Sequence, residues 1–365
     1  MRTRIVVALL ALCMGCGGGA VSAFAKDRAA AERSYAAGRY QEAARHWHAA
    51  AVHAKTPGWA RKAKHRQAMS LLRGGDWQPA RTVLIQLAEE KSPLASRARY
   101  DLALLELEHG QAAAGTARLR QVIIDDPESS VAGIALRRHL SLIEEQQGAA
   151  AVLAEISTLL STLSNTSLDE PLRFEQASQL VATSQLEPAL HAYLDLAERH
   201  PYPRGAHWDD ALWHAAGIEE QLGRPQRAIA HLEHLLSVRE SSDFVGSYER
   251  PRYGQARFHL AELIRDQLHD PARAREEFWR LFKRHPNSLL RDDALWEAAK
   301  LARTQGDSAG TCSLLRTLRE ALAQSRYVAC APLLCADLAN NNTQARCAPY
   351  IASTLAVPAS SAPSP

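Results

Sequence analysis

Residues 223–232 read Gly223-Arg224-Pro225-Gln226-Arg227-Ala228-Ile229-Ala230-His231-Leu232. A turn residue is followed five positions on by a small residue, and four further on by a bulky one. Downstream, Ala228, Ile229, Leu232, Leu235 and Leu236 recur with the period of an amphipathic helix. Upstream, Leu212, Ala215, Ala216 and Leu222 form a second such face. A glycine between two apolar helical faces stops the first helix with a left-handed residue at little steric cost. The small residue then lets the second helix fold back closely against the first.

The pattern recurs along the chain. It appears at Gly38…Ala43…Trp47, Gly75…Ala80…Leu84 and Gly110…Gly115…Leu119, and in degenerate form at Gly148…Leu153. It returns at Ser184…Ala189…Tyr193, His269…Ala274…Phe278 and Gly306…Thr311…Leu315. Successive turn residues are 37, 35, 38, 36, 39, 46 and 37 positions apart. Pro93, Pro127, Pro201 and Pro286 follow second helices, where proline ends helical hydrogen bonding. Two copies match closely. His200-Pro201 precedes Trp208-Asp209-Asp210-Ala211-Leu212-Trp213-His214-Ala215-Ala216. His285-Pro286 precedes Arg291-Asp292-Asp293-Ala294-Leu295-Trp296-Glu297-Ala298-Ala299. The aspartates fall at a helix start, where carboxylates cap free N–H groups and favour the dipole.

Residues 27 to about 325 resemble tetratricopeptide (TPR) repeats in period, turn, packing residues and trailing proline. The His-Pro-Asn-Ser…Asp-Asp-Ala-Leu-Trp form is similar to the TPR proteins of the Gram-negative envelope. Among these are the lipoprotein of outer-membrane β-barrel assembly and the periplasmic coordinator of the Tol–Pal system. Two features depart from the family: Leu153 replaces the small residue, and the mean spacing is about 38 rather than about 34. The resemblance implies an all-α, TPR-like α-solenoid, a right-handed superhelix of about eight antiparallel helix pairs. The 365 residues are then one quasi-one-dimensional stack instead of two or three globular domains. Repeats are expected over 26–165 and 166–325, followed by a cystine-bearing helical cap at 326–351 and a disordered Ala/Ser/Pro-rich tail at 352–365. Residues 157–170, rich in Ser and Thr, read as a loop or frayed helix end dividing the two halves.

Residues 1–25 read as a secretory signal. Arg2 and Arg4 precede the short apolar run Ile5 to Met14. Two exits stand open: cleavage after Ala25 in Ala23-Phe24-Ala25, or lipidation of Cys16. Either predicts an exported chain in the periplasm, held to the outer membrane in the second case. Membrane contact is expected only through that anchor. Four cysteines remain in the last 54 residues: Cys312, Cys330, Cys335 and Cys347. An even cluster in an oxidising compartment suggests two disulfides, with Cys312–Cys330 and Cys335–Cys347 preferred. Zinc is disfavoured, because no Cys-x-x-Cys pair is present.

The formal charge of +3 falls to +1 without Arg2 and Arg4, which gives no electrostatic case for nucleic acid. No nucleophile elbow, phosphate loop, dinucleotide fingerprint or His-Glu-x-x-His is present. The expectation is a non-enzymatic chain with no cofactor, metal or small-molecule substrate. His231 and His234 are close enough to share a helix face but lack a third ligand. The expected partners are envelope proteins or peptides. The candidate groove is Tyr100, Trp213 and Trp296, with Lys300 and Arg303 nearby. A second candidate is the insertion around 241–255, with Tyr248, Arg250, Arg252 and Tyr253, residue types enriched at interface hot spots. The alternatives are a structural spacer, or the superhelical arm of a cell-wall enzyme.

Overall fold

A computed structural model describes residues 22–238, 252–339 and 346–355. Among the described residues there is helix and no strand. Among the described residues sixteen long helices follow one another, most of them joined in pairs by tight turns. In the first part of the chain the pairs are α1 (Ala23–Ala36) with α2 (Tyr40–Val52), α3 (Pro57–Arg73) with α4 (Trp77–Glu89), and α5 (Ala95–Glu108) with α6 (Ala112–Asp125); α7 (Ala132–Gln147) and α8 (Ala149–Leu163) then follow on either side of Gly148. Four more pairs come after them: α9 (Asp169–Ala182) with α10 (Leu186–Arg199), α11 (Trp208–Gln221) with α12 (Pro225–Ser237), α13 (Arg252–Asp266) with α14 (Pro271–Arg284), and α15 (Arg291–Thr304) with α16 (Ser308–Ala321). The TPR-like all-α architecture expected from the repeat is therefore present.

Every turn position read from the sequence has positive φ: Gly38, Gly75, Gly110, Gly148, Ser184, Gly223, His269 and Gly306. The hydrogen bonds explain why. Arg224 N–H donates to Glu219 C=O at 2.8 Å and Gly223 N–H to Glu220 C=O at 2.9 Å. This paired closure satisfies helix-terminal carbonyls and requires a left-handed residue. Ser184 achieves the same closure at φ 59°, against the steric preference of its Cβ.

The small residues Ala43, Ala80, Gly115, Ala189, Ala228, Ala274 and Thr311 are buried, as are the bulky residues four positions on. The fourth copy differs. Elsewhere the second helix starts two residues after the turn residue, but α8 starts one after Gly148. The buried face accordingly moves to Val152, Ile156, Leu159 and Leu163, leaving Leu153 half-buried. The chain divides there into two compact units, Met1–Gly148 and Ala149–Pro365. The Ser/Thr-rich stretch 157–170, expected as a loop or frayed helix end, is helical to Leu163, and residues 164–168 form the turn into α9. Thr158, Ser161 and Thr162 return their hydroxyls to carbonyls of their own helix, which is how these residues are accommodated.

In the second unit one hydrophobic core runs from Ala177 through the repeats to Ile351. Its C-terminal part is built from two short 3₁₀ turns (Val328–Leu333 and Ala336–Leu338) and α17 (Pro349–Ser353), rather than from a further helix pair. Two disulfides tie it down, Cys312–Cys335 and Cys330–Cys347. This corrects the pairing preferred from the sequence. Cys312 on α16 is joined to Cys335, between the two 3₁₀ turns, while Cys330, inside the first turn, is joined to Cys347, just before α17. At the other end, Ser22 Oγ accepts the Ala25 N–H at 3.2 Å and caps α1. The Phe24 ring meets Trp59 edge-on at 5.5 Å. Ala23-Phe24-Ala25 thus forms the first turn of a packed helix. Cys16 lies outside the described residues, as do residues 356–365 of the expected tail. No described helix is long and apolar enough to cross a membrane.

The cap seals the stack through one residue. Tyr327 stacks on Trp296 at 4.8 Å with a 14° tilt, and its hydroxyl donates to Asp293 Oδ1 at 2.6 Å. Tyr327→Ala should lose about 3 kcal/mol, as expected for removing a large buried ring. Hydrogen exchange should show the first turns of α15 opening. Unchanged protection of α15 would mean that the cap is not what closes this end.

Candidate functional site

In the second unit the first helices α11 and α13 carry a half-buried stripe opposite their fully buried side. On α11, Ala211, Leu212, Ala215, Ala216, Ile218 and Glu219 are buried, leaving Asp210, Trp213, Gly217 and Glu220 on the other side at helical spacing. On α13 the matching stripe is Arg252, His259 and Glu262. The two stripes interlock. Arg252 Nε donates to Asp210 Oδ1 at 2.6 Å, and its guanidinium lies 5.6 Å from the Trp213 ring centre. The His259 ring centre also lies 5.6 Å from the Trp213 ring, tilted by 55°. Its Nε2 is 2.6 Å from Glu220 and its Nδ1 is 3.6 Å from Glu262.

These carboxylates set the histidine's charge. Glu262 and Glu220 hold the His259 imidazolium above the usual histidine range, against the opposing effect of burial. His214, one residue beyond Trp213, behaves oppositely: burial and the nearby Arg252 push it down. Its ring stacks on Tyr193 at 5.0 Å, and Phe174 on α9 stacks on His207 at 4.4 Å. The stripe continues onto α15, where Glu297 accepts from Arg265 and Lys300, both at 2.8 Å. The result is a strip of rings and ion pairs across the first helices of the second unit. Its chemistry is that of a contact surface. Trp213 offers an aromatic face held by a cation, and the polar groups around it are already oriented by one another.

The structure brings Trp213 and Arg252 together, and it separates the other candidates. Trp296 is buried beneath Tyr327 and lines no open surface. At Trp213 the following helix α13 supplies Arg252 and His259, whereas at Trp296 the cap supplies a stacked tyrosine. Tyr253 is also core, because α13 begins at Arg252 and turns the tyrosine inward. Arg252 is therefore helical rather than part of a loop. Lys300 is paired with Glu297, and exposed Arg303 donates to the Leu333 carbonyl of the cap at 2.6 Å. Tyr100 lies on α5 of the first unit, half-buried, with Arg97 at 6.0 Å from its ring. Tyr248 and Arg250 lie outside the described residues.

The aspartate pairs do more than favour the helix dipole. At neither helix start does the N-cap residue, His207 or Leu290, cap with its own side chain. Instead the second aspartate reaches to the next element: Asp210 to Arg252, and Asp293 to Arg326 and Tyr327. Both partners are Arg-Tyr dipeptides, a repeated signal that sequence reading passed over. His259, Glu220 and Glu262 were missed as well, since single polar residues on a helix carry no motif. His231 faces Glu219 at 3.9 Å while His234 meets Trp208, so the two do not form a ligand pair. Among the described residues, potential metal ligands converge at Cys312, Cys335 and Asp337, and both cysteines are engaged in a disulfide.

No protein-family model and no curated protein matches the chain. Among solved structures it is similar to PilF of Pseudomonas aeruginosa, at 18% identity over 63% of this chain and 93% of that one, TM-score 0.38. It is similar to a tetratricopeptide repeat protein of Parabacteroides merdae, at 14% over 76% and 98%, TM-score 0.34. It also resembles the C-terminal part of a TPR repeat-containing protein of Cytophaga hutchinsonii, at 12% over 73% and 98%, TM-score 0.44. At these values the likeness says nothing about ligands or partners.

The raised His259 has a signed consequence. A histidine held above its unfolded value stabilises fully below that value, and the contribution fades as pH rises through the folded one. His259→Asn should therefore lower the melting temperature more at pH 5.5 than at pH 8.5. Equal losses at both pH values would show that the imidazolium does not couple α11 to α13.

Proposed function

We propose that this chain is a non-enzymatic scaffold of the bacterial envelope that binds a partner protein or peptide on the open side of its first helices. The observation that carries the reading is Trp213. It is half-buried against the core, with Arg252 over its ring and His259 beside it, while its counterpart Trp296 is fully covered by the cap. A large ring held rigid at a surface offers contact area at little further entropic cost, which suits a binding anchor. Stacked helix pairs present their first helices in series, so one extended partner anchored at Trp213 gains further shallow contacts along the neighbouring polar side chains.

Two features support export. The four remaining cysteines are all engaged in disulfides, as expected for an oxidising compartment. Ser22 and Phe24 are built into the first repeat, so cleavage after Ala25 would remove the α1 cap and a packed ring. That favours processing upstream of Ser22, at Cys16, and hence a lipid anchor.

A photo-crosslinking residue at exposed Gln255, three positions beyond Arg252, tests the surface in the native host. It should trap a specific envelope protein, with yield falling several-fold when Trp213→Ala is added to a chain that still melts normally. Yields indifferent to Trp213 would leave a structural spacer. Intact mass of the mature chain should show a diacylated Cys16 as first residue; a chain beginning at Lys26 would exclude the anchor.

A further inference from the structure

The first repeat carries a groove of a different kind. Between α1 and α3 lie two adjoining hollows of about 200 Å³ each, sharing Glu32, Trp47 and Arg66. Trp47 of α2 forms the floor and is 8% exposed. Trp59 and Tyr35 form the walls and are 46% and 37% exposed, unusual values for large aromatic residues. Met69, a flexible side chain that adapts to varied apolar shapes, lines the far end.

The rim is cationic, and the pairing of its charges is asymmetric. On α3, Arg61 and Lys64 point toward α4 and are both satisfied by Glu90, at 3.6 and 3.8 Å. Lys62 and Arg66 point toward the groove, and among the described residues neither has a carboxylate partner. Lys62 lies instead 5.3 Å from the Trp59 ring centre. Across the groove, Arg28 is paired with Glu32 at 3.4 Å. Three cations therefore face one carboxylate around an aromatic floor. This local excess of positive charge beside exposed aromatic rings is what an incoming acidic group would neutralise.

We infer that the α1–α3 groove docks an acidic segment of a partner protein, with one bulky apolar side chain seated over Trp47 and carboxylates meeting Lys62 and Arg66. This rests on the scaffold reading and names the chemistry of one partner site. A hydrophobic anchor sets the depth, and the two charges set the sign of what is accepted.

The test uses the full chain and three fluorescein-labelled short peptides, read by anisotropy. One combines glutamates with a leucine pair at helical spacing, the second has lysine for each glutamate, and the third has serine for each leucine. The first should bind, weakening as salt is raised, and the other two should bind at least tenfold more weakly. Lys62→Glu with Arg66→Glu should reverse the preference between the first two. Both residues are exposed, so the fold should survive, which circular dichroism would confirm. Equal binding of the glutamate and lysine peptides, or unchanged affinity in the double variant, would overturn the inference. So would loss of self-association in that variant by light scattering, since the occupant would then be a second copy. Trp213→Ala should leave peptide affinity intact. If the Gln255 cross-link persists while no peptide binds, the groove fails and the scaffold reading stands.

Discussion

The structure depends on how closely two helices can approach just after a tight turn. At Gly115 the limit is visible: a Cβ would lie 2.6 Å from Leu107 Cγ and 2.8 Å from the Ala103 carbonyl. Alanine is accommodated at most equivalent positions, and the bulky residue one turn later fills the space that opens as the helices diverge. The left-handed turn residue sets the entry angle that makes this approach possible. Where the turn loses one residue, at Gly148, the whole buried face of α8 shifts by one position. The division between the compact units falls at the same place.

Packing alone stacks pairs without fixing their order, and ionic contacts add direction. Glu170 in the first turn of α9 accepts the His207 N–H at the start of α11, at 2.6 Å. Asp210 at the start of α11 takes Arg252 at the start of α13. Asp293 at the start of α15 takes Arg326 and Tyr327 of the cap. In these three places a first helix grips the start of a later element, and at the last of them the cap receives the grip without supplying a helix. The buried Arg257–Glu277 pair, at 2.6 Å with Arg257 also donating to His285, does comparable work inside one pair. Buried ions of this kind stabilise little in net terms but penalise any arrangement that separates them.

Much of this was legible in residue order. The turn positions, the small and bulky packing residues and the number of helices all follow from a period short enough to be local. The site was legible only in part. Trp213 stood out because its block repeats, but the same repetition made Trp296 look equivalent. Identical local sequence places both rings on the same side of a helix. Whether that side meets solvent or a tyrosine depends on what comes next in space. The groove of the first repeat escaped notice because Tyr35, Trp59, Lys62 and Arg66 belong to no motif and lie on two helices.

The sequence by itself determined the helices, their turns and their pairing, because each is decided by steric limits acting within some twenty residues. Only the tertiary structure decided the disulfide pairing, the burial of Trp296 and Tyr253, and which cations are left unneutralised. Those outcomes depend on distances between residues far apart in the chain. Such distances are set by the packed stack rather than by any one of its repeats.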